Sequence, residues 1–259
     1  MEEFFDLFEQ IYIINLPSRK DRYGEMVIQL GRVGLGINSS KVQFFPAIRP
    51  NDAGGFRSIG ARGCFLSHLG VIDDACSRGL KSIAIFEDDL DFACRFEILA
   101  SRVFAALSEK EWSVFYGGYR LSDVLVDTGE ACIELPPECN VVTAHFVAFR
   151  GDAIAATQSY LKILLTRPPG DPRGGPMDVD GAYSWFRKAH PEMQTWLAVP
   201  ELGYQRSSES SITASIGYRR LPLVKQGLAI LRRVKRLRQA HPWTVCSALQ
   251  SRSASWQRG

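Results

Sequence analysis

No apolar stretch in this 259-residue chain approaches the length of about 18 residues needed to cross a bilayer. The first residues, Met1-Glu2-Glu3, are acidic where a secretory leader is basic. Both absences point to a cytoplasmic protein. The six cysteines, Cys64, Cys76, Cys94, Cys132, Cys139 and Cys246, show none of the paired spacings of a structural zinc site. A chain of this size needs no disulfide framework, so buried thiols acting as small apolar residues are expected. No internal repeat is visible, which sets aside solenoids and propellers. Acidic residues are missing from one region altogether: residues 219 to 259 hold ten of the 31 Lys and Arg and none of the 28 Asp and Glu. The body before it is therefore acidic, and an acidic body without a reader motif argues against nucleic acid as a partner.

What is present is a hydrophobic content of 46%, enough to bury a sizeable core as one large domain, here 1–215, with an appendage, 216–259. Short β-rich runs alternate with helical patterns. Glu9 to Leu16 reads as a strand, followed by a turn and helix start at Pro17 to Arg22; Val42 to Ile48 is a second strand. A helix runs from about Ser58 to Gly79, with Gly60 and Gly63 permitting close backbone approach near its start. Further strands are expected at Ser82–Phe86, Trp112–Gly118, Ile133–Leu135, Val141–Phe149 and Thr195–Pro200, with helices at Leu99–Leu107, Ala153–Leu165 and from Ala182. This alternation indicates the α/β class with a mainly parallel central sheet.

The strand at 82–86 ends in Glu87-Asp88-Asp89. In an open α/β sheet, ligands lie outside the carboxyl ends of the strands, so these carboxylates face the ligand crevice. Side-chain alternation places Glu87 and Asp89 on one face and Asp88 on the other. Adjacent carboxylates raise one another's pKa values unless a cation compensates, and oxygen ligands suit Mn²⁺ or Mg²⁺; the other reading is a solvated acidic turn. His145, inside a strand, is either a further ligand or a core histidine bonded to backbone. His68, inside the long helix beside Ser67, reads locally as a satisfied buried group. Arg19 and Arg22 at a helix start offer an anion site. The Pro- and Gly-rich segment 166–176 reads as a lid or binding loop, after which Asp178 and Asp180 either look into the site or cap the next helix. In the tail, Leu228, Leu231, Val234 and Leu237 fall at helical spacing among basic residues. That amphipathic helix either contacts an anionic membrane or packs on the body with its basic face in solvent.

Ile14-Asn15-Leu16 with Arg19 and Arg22, then Gly63-Cys64-Phe65-Leu66-Ser67-His68-Leu69, then Ile85-Phe86-Glu87-Asp88-Asp89 resemble, in this order and spacing, the family 25 glycosyltransferases of bacterial lipooligosaccharide synthesis and animal collagen galactosylation. Thr143 to Phe149, Pro176-Met177-Asp178 and Gln205-Arg206-Ser207 look like later landmarks of that family. The resemblance implies a single nucleotide-sugar-binding domain, GT-A-like and Rossmann-like. It further implies a metal-dependent, inverting transfer of galactose or glucose from a UDP-sugar donor to a glycan acceptor such as lipopolysaccharide or capsule. On that footing Glu87, Asp89 and His145 are the metal candidates, with Mn²⁺ or Mg²⁺ as cofactor. Asn15, Arg19, Arg22, Ser67, His68 and Asp88 are the donor-binding candidates, and Asp178, then Asp180, the candidates for catalytic base. Two alternatives stand beside it: a non-catalytic glycan- or nucleotide-binding module, and a nucleotide-sugar hydrolase. The location that follows is cytoplasmic, with the tail at the inner face of the membrane as one reading.

Overall fold

The computed structural model of the protein describes residues 2–121 and 129–206. The proposed 216–259 tail, the boundary at 215 and Ser207 lie outside the described residues. In chain order the elements are α1 (Glu2–Phe5), β1 (Gln10–Asn15), α2 (Lys20–Arg32), β2 (Val42–Pro46), α3 (Ile59–Ser77), β3 (Ser82–Glu87), β4 (Leu90–Phe92), α4 (Phe96–Ser108), β5 (Val114–Leu121), β6 (Cys132–Glu134), β7 (Val141–Arg150), α5 (Asp152–Thr166), α6 (Val179–Ala189), β8 (Thr195–Ala198) and β9 (Gly203–Gln205).

Seven strands form one sheet in the order β2-β1-β3-β7-β5-β8-β6, and β4 pairs with β9 in a separate ribbon. Five strands of the large sheet run the same way; β7 and β6 run against them. The α/β class and the mostly parallel sheet agree with the sequence. The reversed β7 in mid-sheet was not foreseen, because a strand buried on both faces has no pattern that records its direction.

Strand alternation distributes the core between two layers. Tyr12, Ile14, Ile83, Ile85, Val147 and Phe149 pack beneath α3, α5 and α6. Ile11, Ile13, Ala84, Phe86, Phe146 and Ala148 pack against α1, α2 and α4. The very short α1 escapes sequence reading, yet its Phe4, with Phe8, joins an edge-to-face aromatic cluster with Phe96, Phe115 and Phe146, while Phe5 stacks on Phe96.

The helix start at Gly63 behaves as expected. A Cβ there would sit 2.6 Å from the carbonyl oxygen of Ile48, so only glycine lets α3 approach the loop after β2 this closely. Ser67 locks the same junction: its hydroxyl donates to Gly63 O at 2.6 Å and accepts from Ile48 N–H at 2.8 Å. Among the cysteines, Cys132 is buried, Cys64 and Cys76 half-buried and Cys94 exposed, all as free thiols. Cys139 departs from the expectation, being disulfide-bonded.

Thr166 closes α5, and segment 167–176 is irregular, as its prolines and glycines dictate, but it is tied down. Arg167 donates to the carbonyls of Arg173 and Gly174. Pro169 packs so closely on Gly55 that a Cβ there would lie 2.7 Å from its ring.

Candidate functional site: the carboxylate cluster at the end of β3

Alternation along β3 continues through its tip and decides what each carboxylate meets. Glu87 has the parity of Ile83 and Ile85 and points toward α3; Asp88 has the parity of Phe86 and points toward α2.

On the α2 side Asp88 is buried and fully engaged. It accepts from Asn15 Nδ2 at 2.8 Å and from Arg22 Nη1 at 2.5 Å. Asn15, at the end of β1, and Arg22, in the first turns of α2, therefore hold a carboxylate in this structure. Arg19 is placed apart from them, forked onto Asp21 at 2.7 to 3.2 Å at the protein surface.

Asp89 lies in the turn after β3, where alternation no longer applies. One oxygen is 3.4 Å from Arg22 Nη1; the other, Oδ1, is buried without a hydrogen-bond partner. Burial and the neighbouring Glu87 charge push this carboxyl up to about 7, against the pull of Arg22. The turn is fastened by Arg206, whose backbone N–H donates to Asp89 O at 2.6 Å and whose guanidinium clasps Asp91 at 2.6 and 2.9 Å and also Glu25.

On the α3 side, Glu87 meets two residues one helical turn apart. Its Oε1 lies 3.5 Å from His68 Nε2 and accepts from Cys64 Sγ at 3.8 Å. The His68 contact is of ion-pair length and is not a formed hydrogen bond, so Nε2 is a buried nitrogen without a partner. The other ring nitrogen, Nδ1, is 3.0 Å from Tyr183 Oη on α6. Burial works to raise the Glu87 carboxyl, but His68, His145 and Arg22 outweigh it and hold it below its ordinary value.

His145 stands near Glu87, since the antiparallel register Phe86↔Phe146, extended by one residue, sets 87 across from 145. Its ring nitrogens are nevertheless occupied. Nε2 is 3.2 Å from the Gly203 carbonyl and Nδ1 is 3.2 Å from Thr143 Oγ1. A carbonyl only accepts, so Nε2 carries the proton and Nδ1 takes the hydroxyl of Thr143. The geometry is that of a core histidine bonded within the fold, and it sets His145 apart from the metal candidates Glu87 and Asp89.

The fourth and fifth carboxylates arrive with α6. Asp178 occupies the N-cap position, yet its side chain makes no cap hydrogen bond; instead Arg57 Nε donates to both its oxygens at 2.7 Å. Asp180 accepts from Gly181 N–H at 2.8 Å. Burial, reinforced by Asp178 and Glu87, pushes its carboxyl up to about 6 despite that bond. The same charges reach Cys64, whose thiol is raised well above its ordinary value by burial first and then by Glu87, Asp180, Asp89 and Asp178.

Glu87 thus acts on both Asp89 and Asp180, raising each carboxyl, and Asp178, paired with Arg57, adds to the charge felt by Asp180. A buried carboxylate oxygen without a donor, beside carboxyls that raise one another, is a donor set that fits a hard divalent cation. Sequence reading missed Cys64, Arg57 and Tyr183. Cys64 and His68 did carry a signal, their spacing of four within a helix; Arg57 and Asp178 are 121 residues apart and carried none.

A family model described as glycosyltransferase family 25 (LPS biosynthesis protein) matches residues 56–124, which contain Cys64, His68, Glu87, Asp88 and Asp89. The chain is 29% identical over 129 residues to the human inactive glycosyltransferase 25 family member 3, a match covering 43% of this chain and 22% of that protein. To mouse procollagen galactosyltransferase 2 it is 27% identical over 202 residues, 71% of this chain and 31% of that protein. The chain thus spans less than a third of the length of these relatives. Among solved structures, a glycosyltransferase involved in glycosylation of the major capsid of PBCV-1 aligns over 78% of this chain and 94% of its own, with 11% identity and a TM-score of 0.41.

Proposed function

We propose, from the match of residues 56–124 to the glycosyltransferase family 25 model, that the chain is a transferase of that kind, moving a hexose, galactose or glucose, from a UDP-sugar to a glycan acceptor such as lipopolysaccharide or capsule, with inversion. The observation that carries the reading is the end of β3: the Glu87 charge raises both Asp89 and Asp180 while Asp89 Oδ1 stays buried without a donor. Glu87 and Asp89 would hold Mn²⁺ or Mg²⁺. When bound, such a cation supplies positive charge to the departing diphosphate. Arg22 and Asn15 orient the turn by gripping Asp88, and Arg22 keeps one Asp89 oxygen in place. Relatives named procollagen galactosyltransferase in mouse and zebrafish favour galactose as the sugar.

Inversion needs a group that takes the proton of the acceptor hydroxyl on the face opposite the leaving group. Asp180 suits this better than Asp178. Its carboxyl, raised to about 6, is ionised at neutral pH and still basic enough to accept a proton, whereas Asp178 is neutralised by Arg57. Asp178 and Arg57 then shape the acceptor side of the cleft. Arg19, half-buried and forked onto Asp21, would meet the donor only by exchanging that partner for a phosphate. The cytoplasmic location and the contact of the basic tail with an anionic membrane are carried by composition alone. No helix among the described residues is long and apolar enough to cross a membrane.

A second reading is favoured by the relatives named inactive in human and cow: a module that binds a glycan or nucleotide without transfer. UDP release from UDP-galactose, measured with Mn²⁺ and again after EDTA across a panel of acceptors, separates the two. Transfer predicts release that needs both metal and acceptor and that Asp180→Asn abolishes while Asp178→Asn only weakens it. No release with any acceptor, despite donor binding, would establish the binding module. Free sugar without acceptor would establish a hydrolase.

A further inference from the structure

Cys64 and His68 stand one turn apart on the same face of α3, and Glu87 reaches them from the end of β3. One ligand atom from each, the Cys64 thiol sulfur, His68 Nε2 and a Glu87 oxygen, lies within 4.8 Å of the other two. We propose that Cys64, His68 and Glu87 form a binding site for a thiophilic divalent cation, Zn²⁺ by preference, chemically distinct from the oxygen-ligand position at Asp89.

The spacing fits the ion. Zn–S of about 2.3 Å and Zn–N and Zn–O of about 2.0 Å, arranged tetrahedrally, require S···O of about 3.5 Å and N···O of about 3.3 Å. The observed separations are 3.8 Å for Cys64 Sγ to Glu87 Oε1 and 3.5 Å for His68 Nε2 to the same oxygen. Shifts of a few tenths of an ångström close these two separations, and the third, Cys64 Sγ to His68 Nε2, lies within 4.8 Å, in reach of a side-chain rotation.

Independent of that spacing, the His68 ring is wholly buried and its Nε2 has no hydrogen-bond partner. With its proton on Nδ1, donated to Tyr183 Oη at 3.0 Å, the ring turns the Nε2 lone pair onto the cluster. A metal-bound histidine is held in this way, its other nitrogen fixed by a second partner. The ligand types decide which cation enters. Thiolate and imidazole select Zn²⁺ over Mn²⁺ and Mg²⁺, which prefer oxygen. On binding, Cys64 releases its thiol proton to solvent. Three protein ligands leave a fourth position for water beside the partly exposed Glu87, the open arrangement of a reactive zinc and not the closed one of a structural zinc.

Glu87 is shared with the proposed Mn²⁺ position, so zinc on Cys64 and His68 competes for it and opposes transfer. The zinc site itself does not rest on the chain being a transferase.

The full chain, stripped with a chelator and titrated with Co²⁺ alone, tests the site without any activity readout. The expected result is one equivalent bound with a near-ultraviolet thiolate-to-cobalt band, displaced by Zn²⁺ at concentrations at least about 100-fold below those at which Mn²⁺ displaces it. Cys64→Ser should lose the band, while substitution of the exposed thiol, Cys94→Ser, keeps it. Tyr183→Phe, which leaves all three ligands, should keep the band and weaken Co²⁺ binding on the order of 10- to 100-fold. A wild-type chain with no such band overturns the site, as does a band that survives Cys64→Ser, and a Tyr183→Phe affinity equal to wild type removes His68 from it.

Discussion

Asp89→Asn should pull stability and activity in opposite directions, and the structure fixes the size of each. The substitution keeps the side-chain shape and removes the charge. In the folded chain the Asp89 carboxyl rises from 3.8 to about 7; at about 1.36 kcal/mol per pH unit, keeping it ionised in the fold costs on the order of 4 kcal/mol. The loss of the 3.4 Å contact with Arg22 offsets little of this, because Arg22 retains Asp88 at 2.5 Å and is not left as an unpaired buried cation. The new amide needs partners of its own, which leaves a net stabilisation of about 1 to 3 kcal/mol above pH 7 without metal. The sign follows from linkage. Between the unfolded value near 4 and the folded value near 7 the native state holds a proton that the unfolded chain has lost, so wild-type stability falls as pH rises across that window. Urea denaturation in EDTA should therefore show Asp89→Asn ahead of wild type at pH 8 and level with it near pH 4. Transfer should drop about 100-fold or more, since a ligand to the diphosphate cation is worth several kcal/mol of transition-state stabilisation. An Asn variant less stable than wild type at pH 8 would refute the reasoning: Asp89 would then be a structural partner of Arg22 and not a carboxylate held for a cation.

Three further outcomes are expected. Gly63→Ala should cost about 1 to 3 kcal/mol in chemical denaturation, because the new Cβ meets the Ile48 carbonyl, a backbone atom that cannot move aside cheaply; unchanged stability would mean that the loop after β2 yields freely. Arg187, buried and donating to Thr195 Oγ1 and to the carbonyls of Leu135, Pro136 and Cys139, should cost about 3 to 5 kcal/mol as Arg187→Met, read by thermal melting; a melting temperature equal to wild type would show those acceptors finding water. Burial pushes Glu201 up to about 8 from 4.5, against the pull of Arg120, so stability should decline between about pH 5 and pH 8 through this residue. Glu201→Gln should flatten that decline, and an identical pH profile in the variant would exclude Glu201 as its source.

Much of this architecture was legible because it rests on short-range rules. The run Ser82 to Phe86, with alternate residues facing opposite helical layers, placed Glu87 and Asp88 on opposite sides of the sheet, and the structure finds them there with different partners. Gly63 was readable for the same reason: close approach at a helix start demands a missing side chain. What was not legible depends on distance in sequence. Whether His145 would face a ligand or a carbonyl was set by Gly203, 58 residues away. The neutralisation of Asp178 by Arg57 has no local trace, so the order of preference between Asp178 and Asp180 could not be read from the chain. β4 and β9 have three residues each, too few to establish a period, and they pair only because the turn at Asp89 brings them together.

The opposite placement of Glu87 and Asp88 bears on how this protein can change over generations. Substitutions within β3 alter packing locally, but gaining or losing one residue in the strand would exchange the two layers, handing Glu87 to Arg22 and Asp88 to His68. The two carboxylates would then exchange partners, and the Cys64–His68 face would lose Glu87, while the strand still looked sound. Lineages of this protein should therefore exchange one apolar residue of β3 for another more readily than they change its length, and any rare change of length should come in pairs of residues.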